Sequence, residues 1–203
     1  MNNKGCFGIG TVGLVVIGLF VLIGLWGASK YNTLVTENNE VLSKWSNVET
    51  VYQKRANLIP NLQNTVKSYA KFEQETLTKV IEARSKATQV TIDPTNMTEE
   101  DLAKFQKAQG ELTGALGRLM VVAEQYPELK ADQQYINFQR EYTAIENSIR
   151  TETVYYNDAV KKFNNLVESF PTNIFVAFFS KFKEKPYFKA DEGASKAPEV
   201  FKD

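Results

Sequence analysis

Histidine is absent from the 203 residues, and cysteine occurs once, at Cys6. Without histidine the chain cannot assemble a Ser-His-Asp or Cys-His nucleophile, an HExxH zinc site or the Glu-x-x-His ligand pairs of di-metal bundles. A single cysteine forbids any disulfide within the chain, which suits either redox compartment. It also precedes an apolar run, whereas a bacterial lipoprotein cysteine follows one, so lipidation is not expected. Neither a G-x-x-x-x-G-K-[ST] phosphate loop nor a G-x-G-x-x-G turn occurs. Lys+Arg and Asp+Glu balance at 24 each, so no overall field points to nucleic acid or to an acidic partner. Strand-like alternation is missing as well. These absences nominate no catalytic residue, cofactor, metal ligand or small-molecule substrate, and the expectation is a non-enzymatic protein.

What is present starts with residues 7–28, a run of 22 residues without a charge. A helix needs roughly 20 apolar residues to cross the hydrocarbon core of a bilayer. Lys4 ahead of the run and Gly27-Ala28-Ser29 after it have the flavour of a signal peptide. A signal h-region spans only about 7–15 residues, however, so an uncleaved single-pass anchor is the expected reading. Glycine recurs in the run at Gly8, Gly10, Gly13, Gly18, Gly24 and Gly27, as membrane helices tolerate. No two of these lie four apart, so the GxxxG dimer face is missing. Lys4 and the terminal amine on one flank nearly balance Lys30 and Lys44 on the other. The short basic start tips the expectation toward an extracytoplasmic folded part.

Beyond the anchor, apolar and aromatic residues alternate three and four apart in four long stretches. The first contains Tyr31, Leu34, Asn38, Val41, Trp45, Val48 and Tyr52, and the second Leu62, Val66, Tyr69, Phe72, Leu77, Val80 and Ile81. The third follows Leu102, Phe105, Gln109, Leu112, Leu116, Leu119, Ala123 and Tyr126. The fourth runs Tyr135, Phe138, Tyr142, Ile145, Ile149, Glu152, Tyr156, Ala159, Phe163, Leu166 and Phe170. The spacing predicts an all-α fold: a transmembrane helix over residues 1–28 continuing into an elongated antiparallel four-helix bundle over 29–170, packed at shallow, coiled-coil-like angles. Helices are expected at about 29–53, 57–90, 98–126 and 132–170. Asn57 is placed as the cap of the second helix, with Pro60 in its first turn, where a missing N–H costs nothing. One helix kinked through Pro60 is the alternative. Thr98 with Asp101 has the form of a capping box, Pro127 closes the third helix and Asp132 caps the fourth. With the first helix leaving the membrane, residues 90–96 and the tail 171–203, with a short helix near 172–180, fall on the membrane side.

Candidate contact residues follow from that placement. Phe175, Phe178 and Phe179, followed by Lys181, Lys183 and Lys185, combine aromatic and cationic side chains in the way an interfacial segment meets lipid headgroups or a partner. The plainer reading is that they cap the bundle end. Gly110, Gly114 and Gly117 on a helix each cost roughly 1 kcal/mol against alanine. They suggest a helix-packing groove, either for a partner helix or for close approach of a neighbour within the bundle. Asn38, Gln109 and Glu152 fall at inward positions and form a candidate polar layer fixing register. Lys54-Arg55 at the expected distal turn reads as a solvated pair able to meet an acidic partner.

Several strings also line up with one family. Tyr31-Asn32-x-Leu34-Val35, Trp45, Lys54-Arg55-Ala56-Asn57-Leu58-Ile59-Pro60-Asn61-Leu62, Val66-Lys67-x-Tyr69-Ala70 and Ala83-Arg84 are similar to the LemA family signature. Gly117-Arg118-Leu119, Ala123-Glu124-x-Tyr126-Pro127-x-Leu129-Lys130-Ala131, Phe170-Pro171-x-Asn173, Lys185-Pro186-Tyr187-Phe188 and Ala197-Pro198-x-Val200 continue it in order. Asn57 stands where members commonly have Asp, and Lys54 where they commonly have Arg. The resemblance implies a bacterial membrane protein with one N-terminal helix and an all-helical bundle, and no established activity. Relatives associated with magnetosome membranes, and frequent gene neighbourhood with a membrane-bound zinc metalloprotease, are part of what it implies. The expected function is that of a membrane-anchored scaffold or adaptor. Its partners would be the lipid bilayer and other membrane proteins or further copies of the chain. The alternative is an accessory factor in envelope stress or membrane proteolysis.

Overall fold

The computed structural model describes residues 4–69, 74–179 and 181–189, the first seven by backbone alone. Among them the ordered elements are all helical: α1 (Lys4–Lys67), α2 (Gln74–Gln89), α3 (Glu99–Ala123), the single turn α4 (Pro127–Lys130), α5 (Gln133–Glu168) and the short α6 (Thr172–Val176). The fold class is the one the apolar spacing predicts. α1 is long and apolar enough to cross a membrane.

The first boundary differs from expectation. α1 passes through Pro60 without interruption, so no helix starts at Asn57. Asn57 is instead an exposed mid-helix residue whose Oδ1 accepts from Gln53 Nε2 at 2.9 Å. A proline inside a helix leaves the carbonyl four residues earlier without its N–H donor. That carbonyl belongs to Ala56, and Arg84 of α2 donates to it through Nε at 2.8 Å. A side chain from the next helix thus replaces the hydrogen bond that the ring removes, and the helix continues. α1 closes at Lys67, where Ser68 N and Tyr69 N donate to the Thr65 and Val66 carbonyls in a tightened last turn.

The later boundaries follow the sequence more closely. Thr98 accepts from Asp101 N while the Asp101 carboxylate accepts from Thr98 N, completing the capping box of α3. Pro127 opens the separate turn α4 rather than simply ending α3. Asp132 Oδ1 accepts from Gln134 N at 2.7 Å and from Tyr135 N at 3.3 Å, opening α5 as expected. α6 lies within the stretch expected to hold a short helix, over fewer residues.

The chain divides into two compact units, residues 1–41 with 161–184 and residues 42–160 with 185–203. In the larger unit the core gathers Leu58, Ile59, Leu62 and Val66 of α1, Leu77, Val80 and Ala83 of α2, Leu112, Leu116 and Leu119 of α3, and Tyr135, Phe138 and Tyr142 of α5. Lys44 faces Tyr155, Asn47 bonds Glu152 and Arg55 bonds Glu146, so α1 and α5 run antiparallel there. Tyr52 against Phe105 and Arg55 against Thr113 set α3 parallel to α1. In the smaller unit the buried side chains include Leu34, Val41, Phe163, Val176 and Phe182.

Candidate functional site

In the smaller unit α1 meets α6 through a run of aromatic rings. Gly27 is buried, and a Cβ placed there would lie 3.3 Å from Cε2 of Phe175, so the absent side chain lets the ring seat against the α1 backbone. Trp26 meets Phe175 edge-on at 6.1 Å, and Phe175 continues to Phe179 at 4.9 Å. Tyr31 packs on Phe179 and on Phe182, each at 5.5 Å. Such edge and tilted arrangements match the charge distribution of aromatic faces and rims. Ile23, Gly24, Trp26, Tyr31, Phe175 and Phe179 line an open, largely apolar groove of about 430 Å³.

Two of the three candidate phenylalanines are therefore committed inward. Phe175 and Phe179 are half-buried in the ring cluster. Phe178 stands 81% exposed, together with Ile174 at 57% and Phe170 at 79%, the last placed by the apolar spacing on the inward seam of the fourth stretch and found at the surface. Ile174 lies on α6 and the two phenylalanines in the turns that flank it, and the apolar spacing is readable in the sequence as a Phe-x-x-x-Ile-x-x-x-Phe pattern. Lys181 and Lys183 are exposed, with the Lys181 Nζ 5.8 Å from the Phe182 ring.

Lys185 does not join them. It is buried in the larger unit, its Nζ donating to the carbonyls of Thr95 at 2.9 Å and Pro94 at 3.3 Å. Burial pushes its pKa below the usual lysine value, with nearby Asp93 opposing. It begins an extended strap that departs from the expected membrane-side tail. Phe188 stacks on Trp45 at 5.9 Å and meets Tyr156 edge-on at 5.5 Å. The Asn157 amide grips the Phe188 backbone at both N–H (3.0 Å) and carbonyl (3.2 Å), and Gln106 Nε2 donates to the Lys189 carbonyl at 2.9 Å. Burial of these rings in the larger unit's core carries the strap there.

The expected polar layer is replaced by another. Gln109 is buried as predicted, but its partner is Arg55, 2% exposed and not a solvated turn residue. Arg55 Nη2 donates to Gln109 Oε1 at 2.6 Å and to its carbonyl at 3.2 Å. Nη1 donates to Thr113 Oγ1 at 2.7 Å and to Glu146 Oε1 at 2.9 Å. The guanidinium also lies 4.9 Å from the Tyr52 ring centre, a cation–π contact. Burial, reinforced by Glu146 and opposed by Arg55, pushes the Tyr142 hydroxyl up to about 12. Glu152 is only half-buried and accepts from Asn47, while Asn38 is buried in the other unit with its Oδ1 finding no hydrogen-bond partner among the described residues. Arg55 was legible in principle: it is the next step of the three-four alternation after Val48 and Tyr52.

Gly110 and Gly114 are exposed and Gly117 half-buried, and among the described residues a Cβ at any of them would meet nothing within 4 Å. No described helix of this chain approaches these glycines closely. Among the described residues no cluster of three or more His, Cys, Asp or Glu side chains could hold a metal ion. Among the described residues the arrangement offers buried structural polar contacts and apolar surfaces.

The LemA family model matches residues 44–201, which include the Arg55 network, Arg84, Pro60 and the strap. The chain belongs to the LemA family. Protein LemA of Metamycoplasma hominis is 27% identical over 160 residues, covering 79% of this chain and 68% of that protein. Magnetosome protein MamQ 2 of Paramagnetospirillum magneticum is 29% identical over 177 residues, with 79% and 65% covered. Magnetosome protein MamQ of Magnetospirillum gryphiswaldense is 26% identical, with 78% and 64% covered. The aligned regions thus span about two thirds of these relatives' lengths. None of these relatives bears the name of an enzyme.

Proposed function

We propose that this LemA-family protein is a membrane-anchored helical scaffold or adaptor that works by contact and not by catalysis. The observation that supports it is the surface of α1. From Val12 to Leu25, eleven large apolar side chains are exposed, each at 43% or more. A contiguous apolar surface of this size on a soluble protein is rare, because water strongly disfavours it, whereas a bilayer accommodates it. The MamQ relatives, named as magnetosome proteins, add support for work at an organised structure in the cell.

Two measurements test the reading. Alkaline carbonate should leave the protein in the membrane pellet, and Val16→Arg with Phe20→Arg should move it to the supernatant. Each arginine costs roughly 2.5–3.5 kcal/mol at the centre of a spanning helix. Equal extraction of both forms would remove the anchor from the proposal. Photo-crosslinking from exposed α3 positions in native membranes should capture other membrane proteins or further copies of the chain. Dominant capture of a membrane metalloprotease would recast the protein as an accessory factor in proteolysis, and measurable turnover by the purified protein would refute the non-catalytic reading.

A further inference from the structure

Ile174 on α6, with Phe170 and Phe178 in the turns on either side of it, stands exposed, while Phe175 of the same helix is pinned to the end of the apolar run. The depth of α6 is set by Gly27. Residue 27 is the penultimate residue of the 7–28 run, three residues before the next charge at Lys30, and Phe175 sits directly on it. A helix rises about 1.5 Å per residue, so α6 lies within a few ångströms of the level at which α1 leaves the hydrocarbon. Trp26 and Tyr31, in the same cluster, are the residue types that collect at that level.

We propose that α6 and the segments flanking it lie at the interface of the same membrane that α1 enters. On this view Phe170, Ile174 and Phe178 enter the acyl boundary, and Lys181 and Lys183 meet anionic headgroup phosphates. The inference rests on the anchor reading above and adds the second lipid contact and its residues. Bilayer is favoured over a protein groove as the occupant for two reasons. Phe175, between the exposed residues, lines one groove with Ile23 and Gly24 of α1, and Ile23 is among the exposed apolar residues that the anchor reading already places in lipid. The two exposed cations follow the apolar residues directly, with Glu184 the next charge after them, an order that suits a negatively charged headgroup layer. Phe175 and Phe179 hold the helix in place and take no lipid contact of their own.

The test uses the full chain with Cys6→Ser, carrying a single bimane-labelled cysteine in place of Phe178, Ile17 or Lys107. Each form is reconstituted in phosphatidylcholine–phosphatidylglycerol vesicles made with or without brominated acyl chains. The expected result is at least a twofold loss of bimane emission at positions 17 and 178 in brominated vesicles, and none at 107, which is exposed on α3. Quenching at 17 without quenching at 178 overturns the interfacial placement and leaves the anchor standing. It would also be the result if a second copy covered these residues. No quenching at either position overturns the anchor reading and this inference with it. Lys181→Glu with Lys183→Glu should reduce quenching at 178 in phosphatidylglycerol-containing vesicles and leave it unchanged at 17; no change at 178 overturns the role assigned to the two lysines.

Discussion

Arg84 and Pro60 form a pair that neither residue explains alone. The ring of Pro60 removes one helical N–H, and the Arg84 guanidinium supplies a donor to the Ala56 carbonyl in its place. Arg84→Met should cost about 1–3 kcal/mol in urea unfolding, the range for a partly buried polar group left without a partner. In a Pro60→Ala background the restored N–H serves Ala56, and the same Arg84→Met change should cost less. A double-mutant cycle with no coupling would contradict this account. Arg55 carries a larger effect because it is almost fully buried and holds Glu146, Gln109 and Thr113 together. Removing one member of a buried charge pair costs about 3–5 kcal/mol, and the partial exposure of Glu146 places Arg55→Met near the lower end. Arg55→Lys should recover little, since a single ammonium cannot reproduce the planar fork. Denaturant midpoints of the two variants check this directly.

At the scale of elements, α3 joins a strong start to a glycine-rich middle. Its capping box fixes the first turn, and Thr98→Ala should cost about 1 kcal/mol. Among the described residues nothing lies within 4 Å of a Cβ at Gly110 or Gly114, so alanine at each should stabilise by roughly 0.5–1 kcal/mol through helix propensity and a less disordered unfolded chain. Thermal unfolding followed by circular dichroism measures both. A marked loss of stability in Gly114→Leu would reinstate close packing at that position, which the open surroundings argue against. The glycines therefore remain a candidate groove for a partner and not a device of the fold. The strap is the opposite case, an irregular segment that acts as core: Phe188→Ala should cost about 3–5 kcal/mol, the range for a large aromatic removed from between packed rings.

For the whole molecule, balanced charge leaves stability against pH to a few shifted groups. Tyr142 has a folded value of about 12 against an ordinary 10, and burial raises Tyr156 in the same direction. A hydroxyl with a raised pKa stabilises the fold fully below pH 10 and loses that contribution as pH climbs from 10 toward the folded value, because the unfolded chain ionises first. Lys185 acts the other way. Its folded pKa is depressed, so the unfolded chain binds the proton more strongly and the penalty fades as pH rises toward 10.5. Tyr69 and Tyr135 are raised as well, so four raised tyrosines stand against one lowered lysine, and the unfolding temperature should fall above about pH 10 with a late tyrosinate absorbance step. On the acid side, hydrogen bonds hold the carboxyls of Asp93, Asp101 and Asp132 below the usual range. Their contribution is present above pH 3.8 and is lost as pH falls through the depressed values.

The sequence by itself determined the all-helical class, the apolar run, the capping box at Thr98, the cap at Asp132 and the family, because each rests on local spacing or a contiguous string. Continuity through Pro60 was half legible. Tyr52, Arg55, Ile59, Leu62 and Val66 keep the three-four alternation across it, but a proline read locally signals a boundary. Only the tertiary structure decided that boundary, since the replacement donor comes from Arg84, 28 residues away from Ala56. The same holds for Arg55 and Lys185, whose charge reads as surface until partners at residues 94–95, 109, 113 and 146 surround it. Burial of a charge is a property of what packs around it, and no local pattern carries that information.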